Sequence, residues 1–138
     1  MPLLMEIITQ ELPPIGTNAV LLLDQTRKEA VLIDAPEGAH AWAVQKSQEH
    51  NCELIALVLT HGHWDHILDA HKMAAEEIPI YAHPADQPLY TSPERMASFA
   101  LPGIDLIPVP VNHWIEDGAE LQLLGQTLQI RHVPGHCP

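Results

Sequence analysis

The stretch that organises this chain runs Glu53-Leu54-Ile55-Ala56-Leu57-Val58-Leu59-Thr60-His61-Gly62-His63-Trp64-Asp65-His66. Its first half, Leu54–Leu59, is a continuous apolar run, the pattern of a strand buried on both faces. Its second half sets His61, His63, Asp65 and His66 at the carboxyl end of that strand, where a helix is expected to begin. Open α/β sheets place their sites at that edge. A loop there can turn His61 and His63 toward one point and Asp65 and His66 toward a neighbouring one. Imidazole and carboxylate together suit Zn²⁺, with iron or manganese as alternatives. A catalytic ion of this kind takes three protein ligands and keeps a position open. The chain offers a further imidazole in Val133-Pro134-Gly135-His136-Cys137, where the turn Pro134-Gly135 can fix the direction of His136. The bland alternative is a solvated histidine-rich loop, and so close a group behind a buried strand argues against it.

Upstream, Thr17–Asp24 and Glu29–Asp34 flank Gln25-Thr26-Arg27-Lys28 and read as a β-hairpin, with Leu4–Thr9 a strand before it. Ala39, Trp42, Ala43 and Lys46 follow at helical spacing, and Asn51 stands where that helix should stop. Downstream, Ile67–Glu77 is expected as a second helix and Ile78–Ala82 as a strand. Pro84 to Pro110 contains six prolines, which predicts an irregular excursion over the surface. Glu120–Leu124, the turn Gly125-Gln126 and Thr127–Val133 close the chain as a second hairpin, with Leu128, Ile130 and His132 on one face. The order predicts an α/β fold with a mixed sheet and helices on one side.

The bulk properties narrow the function. Length, 138 residues, suits one domain with its own core. Eighteen acidic against six basic side chains give a formal charge of −12, which argues against nucleic-acid or anionic-membrane partners. No apolar run approaches the roughly 20 residues of a membrane span. Met1–Glu6 carries no basic leader pattern, and two cysteines make no disulfide framework, so a cytoplasmic location is expected. Ten histidines are many for this length, and position has to say which of them matter.

His61-Gly62-His63-Trp64-Asp65-His66 with Pro134-Gly135-His136 about seventy residues later resembles the metallo-β-lactamase superfamily, and most of all its glyoxalase II-like (hydroxyacylglutathione hydrolase-like) branch. Asp34, in Val31-Leu32-Ile33-Asp34-Ala35, matches that family's acidic residue before the first helix. The resemblance implies an αββα sandwich with a metal site at one edge. It implies that His61, His63 and His136 hold a first metal and that Asp65 and His66 belong to a second. It further implies that Asp34 steadies the ligand loop by hydrogen bonds. The expected cofactor is zinc, one or two ions. The expected reaction is metal-assisted hydrolysis of a small-molecule thioester such as an acyl-glutathione, with Asp65 orienting the water.

The family's bridging Asp and last His lie further downstream than Pro138, so this chain is expected to correspond to the N-terminal part of the fold. Its uncovered sheet face then favours a homodimer. Two alternatives remain: a metal-binding fragment without turnover, and a mono-iron persulfide dioxygenase-like enzyme. Outside the motif, His132 is expected as a core or supporting histidine, His71, His40, His50 and His113 as surface residues, and Trp64 at the pocket mouth or in the core. Nothing around Cys137 suggests a nucleophile.

Overall fold

The computed structural model describes residues 5–133 and 136. Leu4, the turn Pro134-Gly135 and Cys137 lie outside the described residues.

Three antiparallel strands come first: β1 (Met5–Leu12), β2 (Thr17–Asp24) and β3 (Glu29–Ile33). Helix α1 (Ala39–Glu49) crosses to β4 (Glu53–Val58), which lies parallel to β3. Ala39, Ala43 and Ser47 are its buried positions, one turn apart, and small side chains let the helix approach the sheet closely. Two short helices, α2 (Trp64–Ile67) and α3 (Ala70–Ala75), lead to β5 (Ile80–Ala82). Strand β6 (His113–Trp114) completes a sheet of order β1-β2-β3-β4-β5-β6, parallel from β3 onward. Strands β7 (Glu120–Leu123) and β8 (Gln126–Gln129) form a separate hairpin.

The two sheet faces are covered differently. Alternation along the strands sends Leu21, Leu23, Ala30, Leu32 and Leu57 to the helical side, where they form the main core with Met73, Ile80, Tyr90 and Met96. Leu22, Val31 and Ala56 point the other way and meet Leu123 and Leu124 of the hairpin. Val20, Ile33, Ile55 and Val58 on that second face are only partly buried.

The α/β class, mixed sheet and first hairpin are as expected, and three local expectations need correction. The helix expected over Ile67–Glu77 starts earlier, at Trp64, and is broken at Leu68–Asp69, because the Asp69 N–H donates to Ala35 O at 2.9 Å instead of extending the helix. The proline-rich segment is no mere surface excursion. It holds α4 (Gln87–Thr91) between two 3₁₀ turns, Pro84–Asp86 and Pro93–Met96, and it buries Tyr90, Pro93 and Met96. Strand β6 has two residues, too few for any periodicity to announce. The second hairpin turns at Leu124-Gly125, both at positive φ, and β8 ends at Gln129.

Candidate metal centre

The end of β4 runs straight into the ligand loop, and hydrogen bonds from distant strands hold that loop. Asp34, only 5 % exposed, follows β3 in a left-handed conformation (φ 64°). Its Oδ1 accepts from the Thr60 backbone N–H at 2.8 Å, and its Oδ2 accepts from the Thr60 hydroxyl at 2.7 Å and from His66 Nδ1 at 2.8 Å. One carboxylate thus ties β3, β4 and α2 together. Thr17 on β2 donates its hydroxyl to Asp65 Oδ2 at 2.6 Å. Buried Asp86, in the first 3₁₀ turn, accepts from the Gly62 N–H at 2.8 Å. Gly62 has no room for a side chain, since a Cβ there would sit 2.9 Å from Leu89 Cβ and 3.2 Å from Asp86 Cβ.

The loop so held gathers imidazoles. The His61 ring centre lies 4.7 Å from that of His63, 4.1 Å from His66 and 4.9 Å from His136, and His63 and His136 are 4.5 Å apart. His61, His63 and His136 each offer a ligand atom within 4.8 Å of the others. His66 Nε2 stands 3.4 Å from Asp65 Oδ2, so the remaining two motif residues form a neighbouring pair.

The donor set fits a metal on two counts. The Thr60 hydroxyl spends its proton on Asp34, so at 3.0 Å from His61 Nδ1 it can only accept, and Nδ1 carries the ring proton. That leaves His61 Nε2 as a bare lone pair, and this atom is buried with no hydrogen-bond partner. A buried acceptor left unpaired costs about 1–3 kcal/mol unless something else binds it. Protonation does not relieve it: burial, then the neighbouring His66, holds the His61 pKa down at about 4. Burial, then His136, also lowers His63. Neutral imidazoles are what a metal requires. His66 behaves oppositely: burial works against its charge, but the Asp34 hydrogen bond and the charges of Asp34 and Asp65 outweigh it and raise its pKa.

His132 is not among the gathered imidazoles, although it lines the same cavity as His61 and His136. Its ring stacks on His83 with centres 4.0 Å apart, and its backbone N–H donates to Asp117 Oδ1 at 2.8 Å. Trp64 is buried in the main core. The expected surface histidines are better connected than their sequence context suggested. His40 Nε2 is 3.0 Å from Glu76, His50 Nδ1 is 2.8 Å from Lys46 O, His113 stacks on Tyr81, and His71 is half-buried. Thr17, Thr60 and Asp86 escaped the sequence reading, because threonine and aspartate are common types with no spacing to mark them.

Comparison with known proteins is consistent with this geometry. The family model for the metallo-beta-lactamase superfamily matches residues 12–138. The hydroxyacylglutathione hydrolase GloC of Haemophilus influenzae is 35% identical over 124 residues, covering 88% of this chain and 57% of its own length. Among solved structures, the BLEG-1 B3 metallo-beta-lactamase superposes with a TM-score of 0.80 at 29% identity, over 96% of this chain and 64% of that one. TTHA1623, in a di-iron-bound form, gives a TM-score of 0.67 at 32% identity, over 95% and 62%. The chain spans little more than half the length of the first curated relatives it matches. Among the described residues no helix is long and apolar enough to cross a membrane.

Proposed function

The chain belongs to the metallo-β-lactamase superfamily, and from that premise we propose that it serves metal-dependent hydrolysis of a small-molecule thioester of the acyl-glutathione type. The observation that carries the metal is the buried, unpartnered His61 Nε2 among three imidazoles. The thioester rests on the likeness to the Haemophilus influenzae hydroxyacylglutathione hydrolase. In this reading His61, His63 and His136 hold the first ion, zinc, while Asp65 and His66 belong to a second. A bound divalent ion supplies Lewis-acid polarisation of the carbonyl and lowers the pKa of water toward ~7.

The chain's own residues do the rest. Asp34 and the Thr60 hydroxyl fix the His61 tautomer so that Nε2 faces the site. Asp34 also accepts a hydrogen bond from His66 Nδ1–H, which leaves that ring's Nε2 beside Asp65. Asp65, held by Thr17 through Oδ2, is the carboxylate that orients the attacking water. His132, four residues before His136 in sequence and stacked on His83, is given a supporting role in this reading.

Metal per purified chain, measured by elemental analysis beside a His61→Ala control, tests the reading. About one zinc per chain, lost in the control, is the expected result. A value near two adds the Asp65–His66 site, and S-lactoylglutathione hydrolysis then tests the substrate class. Iron at one per chain would favour a dioxygenase, and a metal-free chain would refute the metal centre.

A further inference from the structure

Phe99 is the chain's one phenylalanine, and the fold leaves the residue 58% exposed. Singly exposed apolar side chains are ordinary, so exposure alone carries nothing. Its position does. The ring stands edge-on to His63, with centres 6.3 Å apart and planes at 68°, so it borders the histidine cluster.

The backbone around Phe99 is anchored on both sides while the ring is not. Met96, three residues earlier, is wholly buried, and its carbonyl accepts from the N–H groups of Phe99 at 3.1 Å and Ala100 at 2.9 Å. Ala100 then packs on the main core. The same segment is pinned to the ligand loop by the Asp86–Gly62 hydrogen bond. An aromatic ring is therefore presented to solvent from a firmly placed turn beside a metal-ligating imidazole. Binding sites for organic ligands are lined by such rings with a few polar groups at one end. An aromatic face offers no hydrogen-bond or charge partner to an anionic group, so what it takes from water is uncharged apolar chain.

We propose that Phe99 walls an apolar subsite beside the histidine cluster, which receives the uncharged carbon chain of the substrate while its carbonyl lies at the cluster. The inference rests on the metal-centre reading and adds a substrate class to it: acyl groups with an uncharged, extended chain. Phe99 is a specificity-determining residue in this scheme, not a catalytic one.

Straight-chain alkyl hydroxamates, from acetohydroxamate to octanohydroxamate, supply the test, because their head group anchors on zinc while the tail varies. Binding to the zinc-loaded chain is measured by titration calorimetry for the wild type, Phe99→Ala and Phe99→Leu. A fully buried methylene is worth about fourfold in affinity, and one lying on an open wall about twofold. The wild type is therefore expected to gain about twofold per added carbon. Phe99→Ala should bind acetohydroxamate unchanged and lose that slope, and Phe99→Leu should keep most of it. Equal slopes in wild type and Phe99→Ala would overturn the proposal. So would a uniform loss across the series in Phe99→Ala, which would mean that the ring only props His63. A chain that takes up no zinc refutes the metal-centre reading and this inference with it, whereas zinc uptake with equal slopes refutes this inference alone.

Discussion

Replacing Thr60 by valine isolates the relay that prepares His61. The substitution keeps a β-branched side chain and leaves the backbone N–H bond to Asp34 Oδ1 in place. It removes the hydroxyl that donates to Asp34 Oδ2 at 2.7 Å and accepts from His61 Nδ1 at 3.0 Å. A hydrogen bond to a charged group is worth about 1.5–3 kcal/mol. Asp34 Oδ2 retains His66 Nδ1, and Thr60 itself is exposed, so a stability loss at or just below the lower end, about 1–1.5 kcal/mol, is expected. The effect on the metal should be larger in proportion. Without its acceptor the His61 ring is free to change tautomer and to rotate, and loss of such a supporting partner typically costs about 10–100-fold in metal affinity. Zinc affinity measured by chelator competition, beside urea denaturation of the metal-free chain, separates the two effects. Thr60→Ser, which keeps the hydroxyl, should bind zinc within about threefold of the wild type. If Thr60→Val loses stability but binds zinc like the wild type, the tautomer argument is wrong, and Asp34 serves only to staple the strands.

Further outcomes follow from the same geometry. A Cβ at Gly62 meets two other Cβ atoms rather than a flexible chain end, so Gly62→Ala should cost about 1–3 kcal/mol and weaken zinc binding; a neutral result by denaturation would show that the loop yields freely. Chelation should lower the unfolding midpoint of the zinc-loaded chain, since an ion bound only to the folded state stabilises it, and equal midpoints with and without chelator would count against any bound metal. Acid dependence has a definite sign. His61, at about 4 folded against 6.5 for the free side chain, binds fewer protons folded than unfolded. Its contribution is therefore lost as pH falls from about 6.5 toward about 4, while the raised His66 acts in the opposite direction. The metal-free wild type should lose more stability between about pH 7 and about pH 5 than His61→Gln, and an equal loss in both would contradict the buried neutral imidazole. Light scattering should give twice the 15.3 kDa chain mass if a second copy covers the half-buried face around Val20, Ile33 and Val58, and a monomeric mass at micromolar concentration would sink that expectation.

What the sequence determined by itself is what local chemistry and short spacing can encode. A buried apolar run, alternating strands, a helix at 3.6-residue spacing and four residues of ligand type around one turn all act within a few residues, so they are readable before folding. The α/β class and the ligand loop at a strand's carboxyl end belong here. Tertiary structure decided whatever depends on partners far away in the chain. The break at Leu68–Asp69 exists because Ala35 O, 34 residues back, competes for the Asp69 N–H. The proline-rich segment enters the core because Tyr90 and Met96 find the sheet's helical face, which no local pattern shows. Thr17 reaches Asp65 across 48 residues, and Asp86 reaches Gly62 across 24. Most decisively, the spacing of His61 and His63 names two candidate ligands but cannot say which ring nitrogen is left without a proton. That choice is made by a hydroxyl and a carboxylate just past the ends of two adjacent strands, and only packing brings them to the ring.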